Sequence, residues 1–192
     1  MPDPLVIPDG DFRAYLFDLD GTIADTMPLH FVAWTKAVEE AGGTFPKPLF
    51  YELAGVPIMQ VVERLNETFG YTLDPTIVSH RKETLYLEMI DQVKPIASVV
   101  EHVHLQHGRM RLAVVSGSPR DSIVRTLNAI GLLDRFDTLV GSEDYTLGKP
   151  NPEPFLVAAQ RLGVAPQHCL VFEDADAGIQ SAETAGMKWV RV

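Results

Sequence analysis

Five short apolar segments that alternate with helical patterns constrain the fold of this chain more than any other feature. Each segment is rich in Val, Leu or Phe, as expected for parallel strands that are covered on both faces. The segments are residues 13–19, 112–116, 138–141, 169–173 and 189–192. Helical patterns that end at a glycine separate the last four, over residues 121–130, 152–162 and 176–185. This alternation predicts an α/β fold, a Rossmann-like doubly wound parallel sheet with right-handed crossovers.

The connection between the first two predicted strands is much longer than a single crossover helix requires. It contains several helical patterns, the first capped by Asp25 or Thr26, the second over residues 57–69 and another that begins at Asp74. We therefore expect a helical cap domain over residues 27–94, inserted into a core domain of residues 1–26 and 95–192. A cap above the strand ends can close over a substrate and exclude water, and it is compatible with a monomer.

Polar clusters fall where four of the predicted strands end. They are Asp18 and Asp20, then Ser116-Gly117-Ser118, then Gly148-Lys149-Pro150 in the loop after the third strand, and finally Glu173-Asp174. Ligands of open α/β sheets bind at the carboxyl ends of the strands. The sequence therefore predicts that these clusters meet at one edge of the sheet.

The first cluster indicates a cation site. Asp18 and Asp20 are two residues apart on an extended chain, so their side chains point the same way, and Gly21 allows a sharp turn after them. Two carboxylates this close repel each other unless a cation lies between them, and Mg²⁺ is a hard ion that prefers oxygen ligands. Alone, the pair is also compatible with a strand that ends in an acidic turn; the other three clusters favour the site.

The composition restricts partners and compartment. A formal net charge of -10 argues against nucleic acid and against an anionic membrane surface, and no apolar stretch approaches membrane-spanning length. A single cysteine, Cys169, excludes an internal disulfide, and no secretory signal pattern is visible, so we expect a cytoplasmic protein. An acidic protein that holds a phosphate needs a local cationic focus.

The four clusters resemble, in order, the motifs of the haloacid dehalogenase superfamily of phosphotransferases, and the resemblance covers nearly the whole chain. The first motif is Phe-Asp-Leu-Asp-Gly-Thr-Ile over residues 17–23, the second ends at Ser116, the third contains Lys149 in Gly-Lys-Pro-Asn-Pro-Glu, and the fourth covers residues 172–179. The set is similar to the subgroup of β-phosphoglucomutase and sugar-phosphate phosphatases, including fructose-1-phosphate phosphatase-like proteins.

The resemblance implies roles for the charged residues. Asp18 is the implied nucleophile, which forms an aspartyl-phosphate, and a carboxylate needs no separate base to attack phosphorus. Asp20 is the implied general acid and then general base, a role that requires its pKa to be raised by neighbours. Lys149 is expected to neutralise both the phosphoryl group and Asp18.

The second motif implies a phosphate-binding loop. Ser116 is expected to donate a hydrogen bond to the phosphoryl oxygens, together with the backbone N–H groups of Gly117 and Ser118 near a helix N-terminus. A simple helix cap at Ser116 is the competing interpretation.

The fourth motif implies a Mg²⁺ site. The expected ligands are Asp18, the backbone carbonyl of Asp20, Glu173 and Asp174, with one of the last two bound through water because Mg²⁺ keeps several waters. Of these two, Asp174 is the expected direct ligand, and Asp176 is expected to cap the following helix.

The cap residues bear on the substrate. His30 can face the active-site end of the first cap helix, Lys82 is similar to a cap lysine that reaches the substrate, and Gly55 lies in a stretch that matches the substrate loop of the mutase. The mutase has an arginine for its second phosphate where this chain has Ile58, although Arg81 or Arg120 could compensate.

The predicted function is therefore Mg²⁺-dependent hydrolysis of a small, hexose-type sugar monophosphate through an aspartyl-phosphate. The alternative within the family is a β-phosphoglucomutase-type phosphohexomutase. Alternatives from other classes are a phosphoacceptor module, which typically lacks a large insertion after the first strand, and a non-catalytic binding module.

Overall fold

The central element is a parallel sheet of five strands. In the computed structural model, which describes residues 5–192, the strand order is β3-β2-β1-β4-β5; the first four residues of the predicted core segment lie outside the described residues. The strands are β1 Ala14–Phe17, β2 Arg111–Val115, β3 Thr138–Val140, β4 Cys169–Glu173 and β5 Lys188–Arg191. All four pairings are parallel, so the predicted doubly wound α/β sheet is confirmed.

Eight α-helices accompany the sheet within the described residues. They are α1 Met27–Glu40, α2 Lys47–Glu52, α3 Ile58–Phe69, α4 Pro75–Leu87, α5 Ala97–Gln106, α6 Arg120–Ala129, α7 Glu153–Leu162 and α8 Asp176–Thr184. Helices α1 to α4 follow β1, and the remaining four connect or flank the later strands. The sequence patterns missed α2, which has only six residues, too short for a helical period to emerge.

Alternate side chains of each strand are buried on opposite faces of the sheet, because successive side chains on a strand point to opposite faces. Tyr15 and Phe17 pack with residues of α5 and α6 on one face, whereas Ala14 and Leu16 pack with residues of α7 and α8 on the other. The ring of Phe17 stacks on that of Phe172 in β4, with centroids 4.6 Å apart. This packing fixes β1 between β2 and β4, and so places its carboxyl end at the centre of the sheet edge.

Helices α1 to α4 share a third apolar cluster that is separate from those of the sheet. Its buried members include Trp34, Phe45, Val62, Leu65 and Tyr86. The ring of Trp34 meets that of Phe45 edge to face at 5.5 Å, a favourable aromatic arrangement. The inserted helices therefore have a core of their own.

Three predicted helix caps have different outcomes. Asp74 caps α4, since its Oδ1 accepts hydrogen bonds from the backbone N–H groups of Thr76 and Ile77. Thr26 occupies the N-cap of α1 but makes no capping hydrogen bond with its side chain, because its hydroxyl binds Asp20 instead. The prediction for Asp176 is wrong: Ala175 is the N-cap residue of α8, and the Asp176 carboxylate accepts a hydrogen bond from Arg191.

None of the helices in the described part of the chain is both long enough and apolar enough to cross a membrane.

Candidate active site

The turn after β1 brings Asp18, Asp20 and Asp174 to the same edge. Gly21 has a φ of 95°, a backbone conformation that side chains disfavour, and a Cβ at this position would overlap the carboxylate of Asp174. The hydroxyl of Thr22 donates to Asp174 Oδ1 at 3.0 Å. Glycine is therefore required where the first and fourth motifs meet.

A buried lysine joins the strand ends below the cavity. Lys149 Nζ donates to Asp18 Oδ1 at 2.7 Å, to Glu173 Oε2 at 2.7 Å and to the carbonyl of Val115 at 3.2 Å. An ammonium has three N–H donors, and all three are used. The exposed fractions are 3% for Lys149, 3% for Asp18 and 1% for Glu173. The structure therefore pairs Lys149 with Asp18 and Glu173, and its expected contact with a phosphoryl group stays a prediction.

Three carboxylates lie near this single ammonium, which hydrogen-bonds only to those of Asp18 and Glu173. Burial raises the pKa of Asp18 to about 8, with a further increase from the charge of Glu173, although Lys149 opposes both effects. Burial likewise raises the pKa of Glu173 and that of Asp174, the latter to about 6. Burial alone would lower the pKa of Lys149, but the charges of Asp18 and Glu173 raise it. The cluster lacks positive charge.

These carboxylates fit a divalent cation. Asp18, Glu173 and Asp174 each offer one oxygen, and the three oxygens lie within 4.8 Å of one another. One oxygen of Asp18 is bound to Lys149 and one of Asp174 to Thr22, whereas both oxygens of Glu173 are engaged, by Lys149 and by the N–H of Ala175. Asp18 and Asp174 are therefore the better direct ligands, and Glu173 suits contact through water.

Asp20 points away from this cluster and towards the second motif. Its Oδ1 accepts hydrogen bonds from Thr26 at 2.7 Å and lies 2.9 Å from His30 Nε2. Its Oδ2 accepts from the hydroxyls of Ser116 at 3.0 Å and Ser118 at 3.1 Å. The side chain of Asp20 is thus outside the group that could hold a metal, which leaves only its backbone carbonyl for the predicted ligand role.

The expected increase in the pKa of Asp20 is wrong. Burial raises the pKa of Asp20, but the charge of His30 and the hydrogen bonds from His30 and Thr26 lower it by a larger amount. The resulting pKa is below the usual range of an aspartate. Each of these donors stabilises the ionised form. In the absence of substrate, the side chain of Asp20 is therefore ionised at neutral pH.

The second motif forms a tight loop that meets the inserted helices. Ser116 Oγ accepts a hydrogen bond from the backbone N–H of Ser118 at 3.0 Å, and Pro119, not Ser116, is the N-cap residue of α6. A Cβ added at Gly117 would lie 3.0 Å from the carbonyl oxygen of Gly55. Gly117 therefore permits the close approach of the Gly55 loop, which has a φ of 80° at the glycine.

On the opposite wall of the cavity lie two side chains of the inserted helices, His30 of α1 and Lys82 of α4. The ring of His30 stacks on Tyr86 with centroids 4.0 Å apart. The Lys82 side chain is 2% exposed, and its Nζ donates to Glu83 at 2.7 Å and lies over the ring of Trp34. The sequence patterns did not indicate Glu83 or Tyr86, although Glu83 directly follows Lys82 in the chain, and they indicated Thr26 only as a helix cap.

Most predicted site residues line one cavity between the strand ends and the inserted helices. They are Asp18, Asp20, His30, Gly55, Lys82, Ser116, Gly117, Ser118, Glu173 and Asp174. Lys149 reaches this cavity through its ion pair with Asp18. The two arginines that could have compensated for Ile58 are engaged elsewhere: Arg81 pairs with Glu40 and Arg120 with Asp144.

Gly178 of α8 is packed against the Glu173 carboxylate, and we expect Gly178→Ala to disturb the site. A Cβ there would overlap this carboxylate, which Lys149 and Ala175 hold in place. Overpacking of this kind costs about 1–3 kcal/mol, more than the helix propensity gained from alanine, which is about 1 kcal/mol. Urea unfolding should show a net loss of stability, and the exposed Gln180→Ala on the same helix is the matched control. A Gly178→Ala protein as stable as the parent would contradict this account.

A sheet edge that carries a buried Asp-Lys pair, a second aspartate and an acidic cluster below a helical insertion defines a class of α/β phosphotransfer enzymes. The chain belongs to the haloacid dehalogenase-like hydrolases, since the model of that family matches residues 15–192. The predicted family and the predicted hydrolytic enzyme of the phosphatase class are confirmed.

Individual relatives are similar over more than four fifths of their own length. Fructose-1-phosphate phosphatase YqaB of Escherichia coli is 37% identical over 182 residues, which covers 94% of this chain and 96% of the relative. A phosphorylated carbohydrates phosphatase of Thermotoga maritima is 28% identical and covers 92% of this chain and 82% of its own. The crystal structure of β-phosphoglucomutase from Clostridium difficile has a TM-score of 0.81 and 27% identity, with coverage of 93% and 83%.

Proposed function

We propose that this chain is a Mg²⁺-dependent phosphatase that hydrolyses a small sugar monophosphate through an aspartyl-phosphate. The observation that carries the proposal is that Asp18, paired with buried Lys149, opens onto the same cavity as Asp20 and the acidic cluster. The names of the relatives support phosphorylated carbohydrates as the substrate class.

The proposed reaction has two displacements. One carboxylate oxygen of Asp18 attacks phosphorus, the bond from phosphorus to the sugar oxygen breaks, and Asp20 protonates the leaving oxygen. Water then attacks the aspartyl-phosphate, Asp20 takes its proton, and the bond from phosphorus to Asp18 breaks. Because Asp20 is ionised without substrate, it must first take up a proton, and His30 at 2.9 Å is placed to exchange one with it.

The remaining motif residues bind and orient the phosphoryl group. Ser116 and Ser118 present hydroxyls on the Asp20 side of the cavity, and the N–H of Gly117 lies in the same loop. Asp18, Asp174 and the Asp20 carbonyl would hold Mg²⁺, with Glu173 in contact through water. When bound, Mg²⁺ supplies the positive charge that allows the anionic substrate to approach Asp18.

Hydrolysis is favoured over the mutase alternative by the charge of the cavity. A mutase holds a bisphosphate intermediate, but Ile58 lines the cavity where the mutase has an arginine, and Arg81 and Arg120 pair with other carboxylates.

We also propose that residues 27–94 act as a movable cap over a core of residues 1–26 and 95–192. In addition, we propose a cytoplasmic location and a monomeric state.

The direct test is a screen for Mg²⁺-dependent phosphate release from hexose, pentose and gluconate phosphates, beside an assay of glucose-1-phosphate isomerisation. We expect release from hexose monophosphates and little isomerisation. Efficient isomerisation with little phosphate release would reverse the assignment to mutase. Release that persists unchanged in excess chelator would remove the metal from the proposal.

Stability should depend on pH and Mg²⁺ together. The pKa values of about 8 for Asp18 and about 6 for Asp174 exceed the ordinary value of 3.8. Between about pH 4 and about pH 8 the folded protein therefore binds more protons than the unfolded chain. The contribution of these groups to the free energy of unfolding therefore falls as the pH rises from about 4 to about 8. Without metal we expect a lower Tm at about pH 8 than at about pH 5. Thermal scans should show that Mg²⁺ raises Tm more at the higher pH, where fewer protons compete for the carboxylates.

A further inference from the structure

The cap lysine that faces the cavity does not act as an isolated positive charge. Lys82 Nζ donates to Glu83 Oε1 at 2.7 Å. Consecutive residues on a helix do not normally face each other, yet these two side chains bend towards one point. The exposed fractions are 2% for the Lys82 side chain and 15% for that of Glu83, so the pair is mostly withdrawn from solvent.

Glu83 is held from the other side of the cap–core interface. Its Oε2 accepts a short hydrogen bond from the hydroxyl of Ser122 in α6. One turn along the same two helices, the hydroxyls of Tyr86 and Thr126 lie 2.7 Å apart. Burial raises the pKa of Glu83, but the charge of Lys82 and the hydrogen bonds from Lys82 and Ser122 lower it overall. Glu83 therefore stays ionised at neutral pH beside Lys82.

Apart from Lys82, this wall supplies no unpaired cation in the part of the chain that the structure describes. Within the described residues, the ionisable cap side chains that line the cavity are His30, which is engaged with Asp20, and Lys82. The other residues of this wall are mainly apolar and include Trp34, Phe45 and Phe50. With Glu83 bonded to it, Lys82 brings no net positive charge to this wall.

We propose that Glu83 determines substrate specificity: by neutralising Lys82 it makes the site accept substrates with one phosphate and an uncharged, hydroxyl-bearing far end. This inference rests on the proposed function, whose substrate class it narrows. Lys82 retains N–H donors for a hydroxyl oxygen, whereas a second phosphate would meet Lys82, whose charge Glu83 already offsets. Rejection by an unmatched charge is an effective source of specificity.

Binding measurements separate this inference from the proposed reaction. Fructose 1-phosphate and fructose 1,6-bisphosphate are titrated calorimetrically with Mg²⁺ into the Asp18→Asn protein, which cannot turn them over. We expect the monophosphate to bind more tightly, and Glu83→Gln in this background to reduce that preference by about tenfold or more. Glu83→Asp, which keeps the charge, should restore much of it. Glu40→Gln removes a cap carboxylate that pairs with Arg81 on the outer surface, and should leave the preference unchanged.

The inference is overturned if the parent shows no preference, if neither ligand binds, if Glu83→Gln leaves the preference unchanged, or if Glu40→Gln changes it equally. If Glu83→Gln does not fold, Lys82→Gln provides the opposite charge change, and the preference for the monophosphate should then rise by about tenfold; an unchanged preference there also overturns the inference. A selective binding site in a wild-type protein that releases no phosphate would refute the proposed function and leave this inference standing.

Discussion

Asp18→Asn is expected to lower phosphate release by on the order of 10⁴-fold or more, because loss of a covalent nucleophile removes the pathway rather than weakening it. The asparagine has nearly the same shape, and its amide oxygen can still accept the hydrogen bond from Lys149 that Asp18 Oδ1 accepts at 2.7 Å. The fold should therefore survive.

The same substitution should not destabilise the metal-free protein. Burial and the charge of Glu173 raise the pKa of Asp18 to about 8, so the ionised carboxylate is an unfavourable group in the folded state at neutral pH. Removal of its charge should leave Tm unchanged or raise it, the trade-off expected at a strained active site. Phosphate-release kinetics and thermal scans measure the two effects.

A matched control and a direct observation complete this test. Asp25 is an exposed aspartate close to the first motif, and Asp25→Asn should retain activity. In the wild-type protein, acid quenching followed by mass spectrometry should detect a phosphoryl adduct on the peptide that contains Asp18. Activity of Asp18→Asn within about tenfold of the parent would exclude the nucleophilic role.

Lys149→Met is expected to impair both stability and activity. Lys149 is the shared partner of Asp18 and Glu173, and removal of one member of a buried ion pair costs about 3–5 kcal/mol, because it leaves uncompensated charge. Urea unfolding at about pH 8 should show this loss, and it should be smaller at about pH 5, where the carboxylates protonate more readily.

Activity of Lys149→Met should fall by about 10³-fold or more, since Asp18 loses the charge that holds it in place. Lys36→Met, at an exposed position of α1, is the control and should change neither quantity appreciably. A Lys149→Met protein with full stability at both pH values would show that the buried carboxylates are compensated by another group, and would remove Lys149 from its central position in the site.

The charged constellation was predictable because it depends on strand ends. Asp18, Ser116 and Asp174 each follow or end an apolar strand pattern, and parallel strands present their carboxyl ends at one edge. The strands that carry these residues, β2, β1 and β4, are neighbours in the sheet, so their carboxyl ends lie side by side. The motifs therefore meet wherever the sheet forms.

The properties that arise from contacts between distant elements were not predictable. The direction of the pKa shift of Asp20 depends on His30 and Thr26. The sequence indicated Thr26 only as a helix cap, so a hydrogen bond from its hydroxyl to Asp20 was not expected. Likewise, the neutralisation of Lys82 depends on Ser122, which lies 39 positions from Glu83 in the chain. These are balances between burial and several hydrogen bonds, and each partner comes from a different element.

The amino-acid sequence by itself thus determined the α/β fold, the family and the set of residues that carry charge, because apolar periodicity and local spacing act over short stretches of chain. Only the tertiary structure decided which carboxylate is protonated more easily, which carboxylates can share a cation and which lysine is neutralised. Those outcomes depend on distances of about 3 Å between side chains, and such distances are established only when the sheet and the inserted helices pack together.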